Sequence, residues 1–400
     1  MSKDNDVVIV SAARTAIGTF GGTLREVRAH QLAAHVMVEV LKRANNLDPN
    51  VVSDVIVGDC LQNVDEANTA RVAALAAGIP HQVTAFTVQR NCASSMQALI
   101  SGTQQILCQD SEVVLVAGVE SMSSGPYYMD KARWGMRLRN HEVIDSVWEA
   151  LHSGSRLLGE DMIMGITAEN IAEKDDISRE DQDQVALESN NKAEAAIKAG
   201  LFAEEIVPME VSGDRGESVV FLQDEHPRFG LSIEDLAKLK PVFKKDGTVT
   251  AGNSSGINDG AAAAVIMTRK RAKDLGLTPL ARIVSHSIAG VDPHYMGYGP
   301  VPATEKVLKK AGMTLKDVQL IELNEAFAAQ YLACERKLGI DRDITNVNGS
   351  GISLGHPVGC TGLRIVVTLV YEMIRRDVNV GLATLCVGGG MGMATIVARE

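Results

Sequence analysis

The stretch Ala85-Phe86-Thr87-Val88-Gln89-Arg90-Asn91-Cys92-Ala93-Ser94-Ser95-Met96-Gln97-Ala98-Leu99-Ile100-Ser101-Gly102 changes its hydrophobic period within a few residues. Residues 85–88 have the composition of a strand, whereas Met96, Leu99, Ile100, Thr103, Ile106 and Leu107 recur at helical spacing. This predicts a strand that runs directly into a helix, with Cys92 in the helix's first turn. Unpaired backbone N–H groups and the positive end of the helix dipole favour a thiolate there, and the same N–H groups can receive an oxyanion. A small buried hydrophobe is the other role open to such a cysteine.

Strand and helix signals alternate on both sides of this unit. Residues 7–11 read as a buried strand, 29–43 as an amphipathic helix, 55–58 as a strand, 69–77 as a helix closed by Gly78 and Pro80, and 113–118 as a strand. Such alternation implies a parallel-rich sheet covered by helices. The texture changes at Met122. Tyr127, Tyr128, Lys131, Arg133, Trp134, Arg137 and Arg139 cluster there, polar helices follow, and the short hydrophilic run 223–228 comes after them. Alternation resumes at Thr250 with the glycine-rich stretch 251–260, which leads into a strand at 261–268. The sequence therefore divides into residues 1–122 plus 250–272, an inserted unit at 123–249, and a second half at 273–400.

The second half repeats the order of the first: strand 281–285, helix 303–311, strand 318–323, helices 325–338 and 363–375, then strands 380–387 and 393–398. Two such units should pair through their inner helices. That would set the Cys92 helix beside the one following Gly355-His356-Pro357.

Composition narrows the function. With 46% hydrophobic but only 4% aromatic residues among 400, the cores must be built from small aliphatic side chains. A net charge of −11 argues against a nucleic-acid or anionic-membrane surface. The six cysteines are dispersed without metal-ligand spacing and read as reduced cytoplasmic thiols. No signal peptide is legible. Residues 380–398 carry no charge over 19 residues, but the five glycines among them favour strand-turn-strand over a membrane span.

Three further groups could carry chemistry. His356, held between Gly355 and Pro357 in a glycine-studded loop, could take a proton from Cys92, giving a base-activated nucleophile; a helix-capping turn histidine is the alternative. Cys386 ends a strand beside Gly388-Gly389-Gly390 and could move a proton near the N–H groups of that turn, or be a structural cysteine. Asn324, in Leu323-Asn324-Glu325-Ala326-Phe327, could cap the following helix or orient a water at a developing oxyanion.

With these motifs in order, the chain closely resembles the thiolase family over essentially its whole length. The resemblance extends to Ser11-Ala12-Ala13-Arg14-Thr15, to Met164-Gly165-Ile166-Thr167-Ala168-Glu169-Asn170 and to Thr250-Ala251-Gly252-Asn253-Ser254-Ser255-Gly256. It implies an α/β duplicated thiolase fold, five-layered α-β-α-β-α, with an inserted loop domain. It also implies an acyltransferase of fatty acid metabolism that condenses two acetyl-CoA to acetoacetyl-CoA plus free CoA, and the reverse thiolysis, through an acyl-cysteine. On that resemblance Cys92 is acylated, His356 activates it, and Cys386 moves the α-proton. The N–H groups of Cys92 and Gly388 form one oxyanion hole; His356 and an Asn324-held water serve the enolate.

The same resemblance assigns coenzyme A contacts in and around the inserted unit. Arg228 would lie near the nucleotide, Ser255 near the pantetheine with Ala251 also in contact, and Met164, Phe243 and Met296 along the acyl pocket. Arg133 and its neighbours would form a cationic loop reaching coenzyme A phosphates, across an oligomer interface or within the chain; a solvated face is the alternative. No permanently bound cofactor or metal is implied, and a homo-oligomer, dimer or tetramer, is. One departure is Ile163, where many short-chain members have histidine. Two rivals remain: a ketoacyl synthase acting on acyl carrier protein, against which the second cysteine argues, and a non-catalytic scaffold, against which the four intact motifs argue.

Overall fold

The computed structural model describes residues 3–213 and 216–400. In the first half, β1 (Val7–Thr15), α1 (Ala29–Arg43), β2 (Asp54–Asp59), α2 (Thr69–Ala76), β3 (Thr84–Val88), α3 (Ser94–Leu107) and β4 (Val113–Ser121) follow one another as expected. The inserted unit contains α4 (Met164–Lys174) and α5 (Arg179–Lys198), and β5 (Asn258–Thr268) then returns to the sheet. The second half runs β6 (Ala281–Gly290), α6 (Pro300–Ala311), β7 (Leu320–Leu323), α7 (Ala328–Leu338), α8 (Val358–Arg376), β8 (Val380–Val387) and β9 (Met391–Arg399). The uncharged segment is thus an antiparallel hairpin. No described helix is long and apolar enough to cross a membrane.

Hydrogen bonding orders the main path of the sheet as β7-β8-β9-β6-β1-β5-β4-β2-β3. Each half therefore places its strands in one sequence outward from the centre: first, last, penultimate, second. Pairing of β1 with β5 slips between Ile9 and Ser11, and pairing of β6 with β9 slips between Ile283 and Ser285. Val10 and Val284 are the extra residues of matching β-bulges, a signature of the duplication. The halves join where Val8 and Ile9 pair with Arg282 and Ala281.

Alternation along the strands sorts side chains into layers. In β5, Ala261, Ala263, Val265 and Met267 face the core under α1 and α2, whereas Ala262, Ala264 and Ile266 face the inner core with Leu99, Leu363 and Val366. In β8 and β9, Leu382, Ala394 and Ile396 face a third core with residues of α6 and α7, while Leu385 and Met393 face inward. The result is the expected α-β-α-β-α order, with α3 and α8 as the middle layer.

Small residues make that middle layer possible. A Cβ on Gly362 would stand 2.7 Å from the backbone N of Met96, and one on Gly58 would stand 2.2 Å from the backbone of Ser94 and Ser95. At the same contact, the Ser95 hydroxyl donates to the Cys360 carbonyl and accepts from Leu363 N–H, both at 2.8 Å. These bonds hold the starts of α3 and α8 side by side.

The inserted unit is fastened to the sheet. Ile206 and Val207 pair in parallel with Arg14 and Thr15 of β1. The fully buried Arg14 guanidinium donates to Glu205 at 2.5 Å and, in bidentate fashion, to Asp224 at 2.7 and 2.9 Å. Removing one partner of a buried pair leaves the other charge uncompensated. Arg14→Met should therefore lower the unfolding free energy by about 3–5 kcal/mol, measured by urea titration; a variant of parental stability would mean the staple contributes nothing.

Candidate active site

A cavity of about 440 Å³ opens between the inserted unit and the ends of the inner helices. Cys92, His356 and Gly388 lie in its wall, together with Met164, Phe243, Met296, Arg228, Ala251 and Ser255. Residues chosen from all three parts of the sequence thus converge on one space.

Cys92 differs from expectation in two ways. The helix begins at Ser94 with Ala93 as its cap, so Cys92 precedes the first turn, in a tight bend closed by bonds from Ala93 N–H to the Arg90 carbonyl and from Ser94 N–H to the Asn91 carbonyl. Nor is a resting thiolate favoured. Burial pushes the thiol above its ordinary range and outweighs the N–H groups of Gly388 and of Cys92 itself, which pull it down. The thiol therefore rests protonated, and to act as a nucleophile would need a base.

His356 has the surroundings of one. Gly355, at φ +100°, leaves space for Asn258, whose side-chain oxygen accepts the His356 N–H at 2.9 Å. The imidazole Nδ1 lies 2.6 Å from the Thr361 hydroxyl, and that hydroxyl donates to the Pro357 carbonyl at 3.0 Å. Because its proton is committed to a carbonyl, the Thr361 oxygen must accept from Nδ1–H, leaving Nε2 with the basic lone pair. Burial, and then the positive charge of Arg364, push the imidazole down to about 3, so it rests neutral. The base is orientated and unprotonated before any ligand arrives.

Cys386 ends β8 and is fully buried among Met296, Ala326 and Phe327, behind the cavity wall. Its thiol is pushed well up, first by burial and then by the nearby Cys92. Cys92 and Cys386 are therefore neighbouring protonated thiols, and the neutral His356 imidazole lines the same cavity as Cys92. Asn324 does not cap the next helix, which starts at Ala328 with Phe327 as its cap. It is fully buried, and neither its side-chain oxygen nor its nitrogen has a protein partner among the described residues. A buried amide with spare donor and acceptor capacity suits a held water better than a cap.

Aromatic side chains pack around Cys386 and form part of the cavity wall. Phe243 packs edge-on against Phe327 at 6.2 Å between centroids and closely over Gly165, where a Cβ would stand 2.2 Å from its ring. Ser255 N–H donates to the Ala326 carbonyl, and Arg228 N–H to the Asn190 side chain. Ile163 also lines the cavity, as the cap of α4. Arg133 is the exception: it sits exposed in the short turn Ala132–Trp134 and is not part of the cavity wall.

Several contributors escaped the sequence reading. Cys60 and His226 line the cavity, the latter pushed down to about 4 by burial and by Arg228. Glu120, fully buried, accepts from Gly359 N–H at 2.8 Å and from Leu61 N–H at 3.1 Å, tying the start of α8 to the strand end carrying Cys60. The hydrophilic run 223–228 was the only local signal for His226; Asn258, Thr361 and Glu120 act through partners that only folding brings close.

Two outcomes follow from His356. Thr361→Val should slow alkylation of Cys92 by iodoacetamide about tenfold at neutral pH, with Thr361→Ser restoring most of the rate; an unchanged Val variant would remove the tautomer argument. In the folded chain His356 binds its proton only near pH 3, against 6.5 for the free side chain. The unfolded chain therefore holds more protons across that window, and stability rises with pH there. Replacing it by Asn should make acid unfolding between pH 6 and 4 less steep in a urea–pH series.

Comparison with known proteins agrees with this geometry. Residues 7–270 match the thiolase N-terminal domain and residues 277–399 the thiolase C-terminal domain. An acetyl-CoA acetyltransferase of Pseudomonas aeruginosa is 50% identical over 400 residues, covering 99% of this chain and all of that one. The crystal structure of the Bacillus anthracis acetyl-CoA acetyltransferase superposes with a TM-score of 0.95 at 52% identity, over 99% of both chains. That of human mitochondrial 3-ketoacyl-CoA thiolase in complex with CoA does so with a TM-score of 0.93 at 43% identity, over 99% of this chain and 98% of that one. Two thiolase domains in sequence, together with relatives half identical over nearly the whole chain, establish that the chain belongs to the thiolase family.

Proposed function

We propose that the chain is an acetyl-CoA acetyltransferase that interconverts two acetyl-CoA with acetoacetyl-CoA and free CoA. The observation that carries this is that Cys92, with the N–H groups of Cys92 and Gly388 at its sulfur and the buried Cys386 nearby, shares one cavity with His356, Arg228 and Ser255.

In the thiolytic direction, His356 Nε2 takes the Cys92 proton as the sulfur attacks the 3-keto carbon, and the alkoxide forms in the hole made by Cys92 and Gly388 N–H. Cleavage of the C2–C3 bond leaves an acyl-Cys92 and the enolate of acetyl-CoA. Protonated His356 and a water on Asn324 bear the enolate charge. Cys386, resting as a thiol, protonates its carbon and becomes the base that deprotonates incoming CoA. The CoA thiolate takes the acyl group, and His356 returns its proton to Cys92. Each group ends as it began, and condensation is the reverse path. A protonated Cys386 thus suits the first step it must perform.

Arg228, Ala251 and Ser255 would hold coenzyme A, with Met164, Phe243 and Met296 flanking the acyl group. Residues 123–249 would act as the loop domain. Exposed Tyr127, Trp134, Met136 and Leu138 support a homo-oligomer, dimer or tetramer, in which Arg133 reaches a neighbour's coenzyme A. Free cysteines among the described residues suit a reducing cytoplasm, and acyl-CoA substrates would place the enzyme in fatty acid metabolism.

Acetoacetyl-CoA and CoA, supplied without any carrier protein, should yield acetyl-CoA; no product would end this reading. Cys92→Ala should form no acyl-enzyme and lose more than about 1,000-fold in rate. Cys386→Ala should still be acylated by acetyl-CoA yet fail to condense, read by intact-mass spectrometry beside product assay.

A further inference from the structure

The two N–H groups directed at the Cys92 sulfur come from opposite halves of the chain, and neither half alone determines their spacing. Gly388 opens a glycine turn in which Gly389 and Gly390 have φ of +83° and +86°. No side chain of that turn holds its backbone in place. Two bonds from outside do, one of them from Val291 N–H to the Gly390 carbonyl at 2.8 Å at the far end of the turn. The Asn91 side-chain amide donates to the Gly388 carbonyl at 2.7 Å, across 297 residues of sequence.

Three features indicate that this bond is built into the site. Asn91 directly precedes Cys92 and lies in the left-handed region at φ +42°, a conformation costly for most side chains and tolerated by asparagine. Its amide orientation is determined by its partners, since the Gly388 carbonyl can only accept and the Asn91 oxygen accepts from the Gln89 amide at 3.1 Å. The site of contact is also crowded. A Cβ on Gly388 would stand 2.4 Å from the Ser153 hydroxyl, 3.4 Å from the Met164 sulfur and 3.5 Å from the Asn91 nitrogen. Gly388 therefore has to be glycine and cannot anchor itself through a side chain.

We propose that Asn91 is a positioning residue that holds the two oxyanion donors in register by tying the Cys92 bend to the Gly388 turn. This rests on the acyl-transfer reading above. Asn91 lines the cavity, but its amide is engaged by the Gly388 carbonyl and the Gln89 amide. Its loss should thus impair steps that place negative charge on oxygen and spare those that do not.

The test uses Asn91→Gly, which removes the amide and retains access to the left-handed backbone. Two rates are measured on parent and variant: single-turnover acylation of Cys92 by acetoacetyl-CoA, and alkylation of Cys92 by iodoacetamide, located by peptide mass spectrometry. Acylation forms an oxyanion; alkylation does not. The expected result is a fall in acylation of about 10- to 100-fold, with KM changed less than about threefold and alkylation within about twofold of the parent. Acylation at the parental rate would overturn the proposal. So would a parallel fall in both rates, which would mean a displaced sulfur or base. If the glycine variant does not fold, Asn91→Ala is read by the same two rates: acylation at the parental rate despite its strained backbone overturns the proposal, and a fall in acylation with alkylation unchanged supports it. A parent that cannot cleave acetoacetyl-CoA sinks the functional reading instead, whereas an active parent with an equally active variant sinks only this inference.

Discussion

Contact between the starts of α3 and α8 is the constraint on which the rest of the molecule depends. Two helices buried between two sheets can approach this closely only where one offers no side chain, as Gly362 does to Met96. The Ser95 hydroxyl then bridges the Cys360 carbonyl and the Leu363 N–H, satisfying polar groups that burial would otherwise leave costly. Since Cys92 lies just before one helix and His356 just before the other, the geometry of that contact brings both residues to the wall of one cavity. Glu120 reinforces it from the side by holding Gly359 and Leu61 together.

Burial also determines the resting chemistry. Desolvation raises both Cys92 and Cys386, overriding the backbone N–H groups that favour a thiolate, and lowers His356, where the positive charge of Arg364 acts in the same direction. A site at rest without charge on these three groups carries no uncompensated buried ion, and it keeps both thiols as proton donors until substrate brings the charge. The N–H groups of Cys92 and Gly388, too weak to hold a thiolate against burial, remain available for an oxygen that acquires charge only during reaction.

Much of the architecture was legible because hydrophobic patterning is a local property. Residues 113–119 and 261–267 are continuous apolar runs bounded by polar residues, the mark of strands buried on both faces, and their side chains face two cores by turns. Element ends were less legible. Helix α8 starts at Val358, five residues before its expected start, since glycines that weaken helix propensity are required there for contact. Helix α7 starts at Ala328, which frees Asn324 from capping. Arg133 carries the right charge in a basic cluster, yet lies outside the cavity of its own chain. The thiolate expected at Cys92 failed because dipole and N–H groups can be read locally, whereas the burial that outweighs them cannot.

The sequence by itself determined the duplication, the layer order and the identities of the two cysteines, the histidine and the glycine turn, because periodicity and motif order are written along the chain. Tertiary structure alone decided protonation, tautomer and register. Thr361 orientates His356, Asn258 holds its backbone, and Asn91 reaches Gly388 over 297 residues. Such bonds leave no periodic trace. They depend on angstrom-scale distances between segments remote in sequence, and those distances exist only once two helices have packed between two sheets.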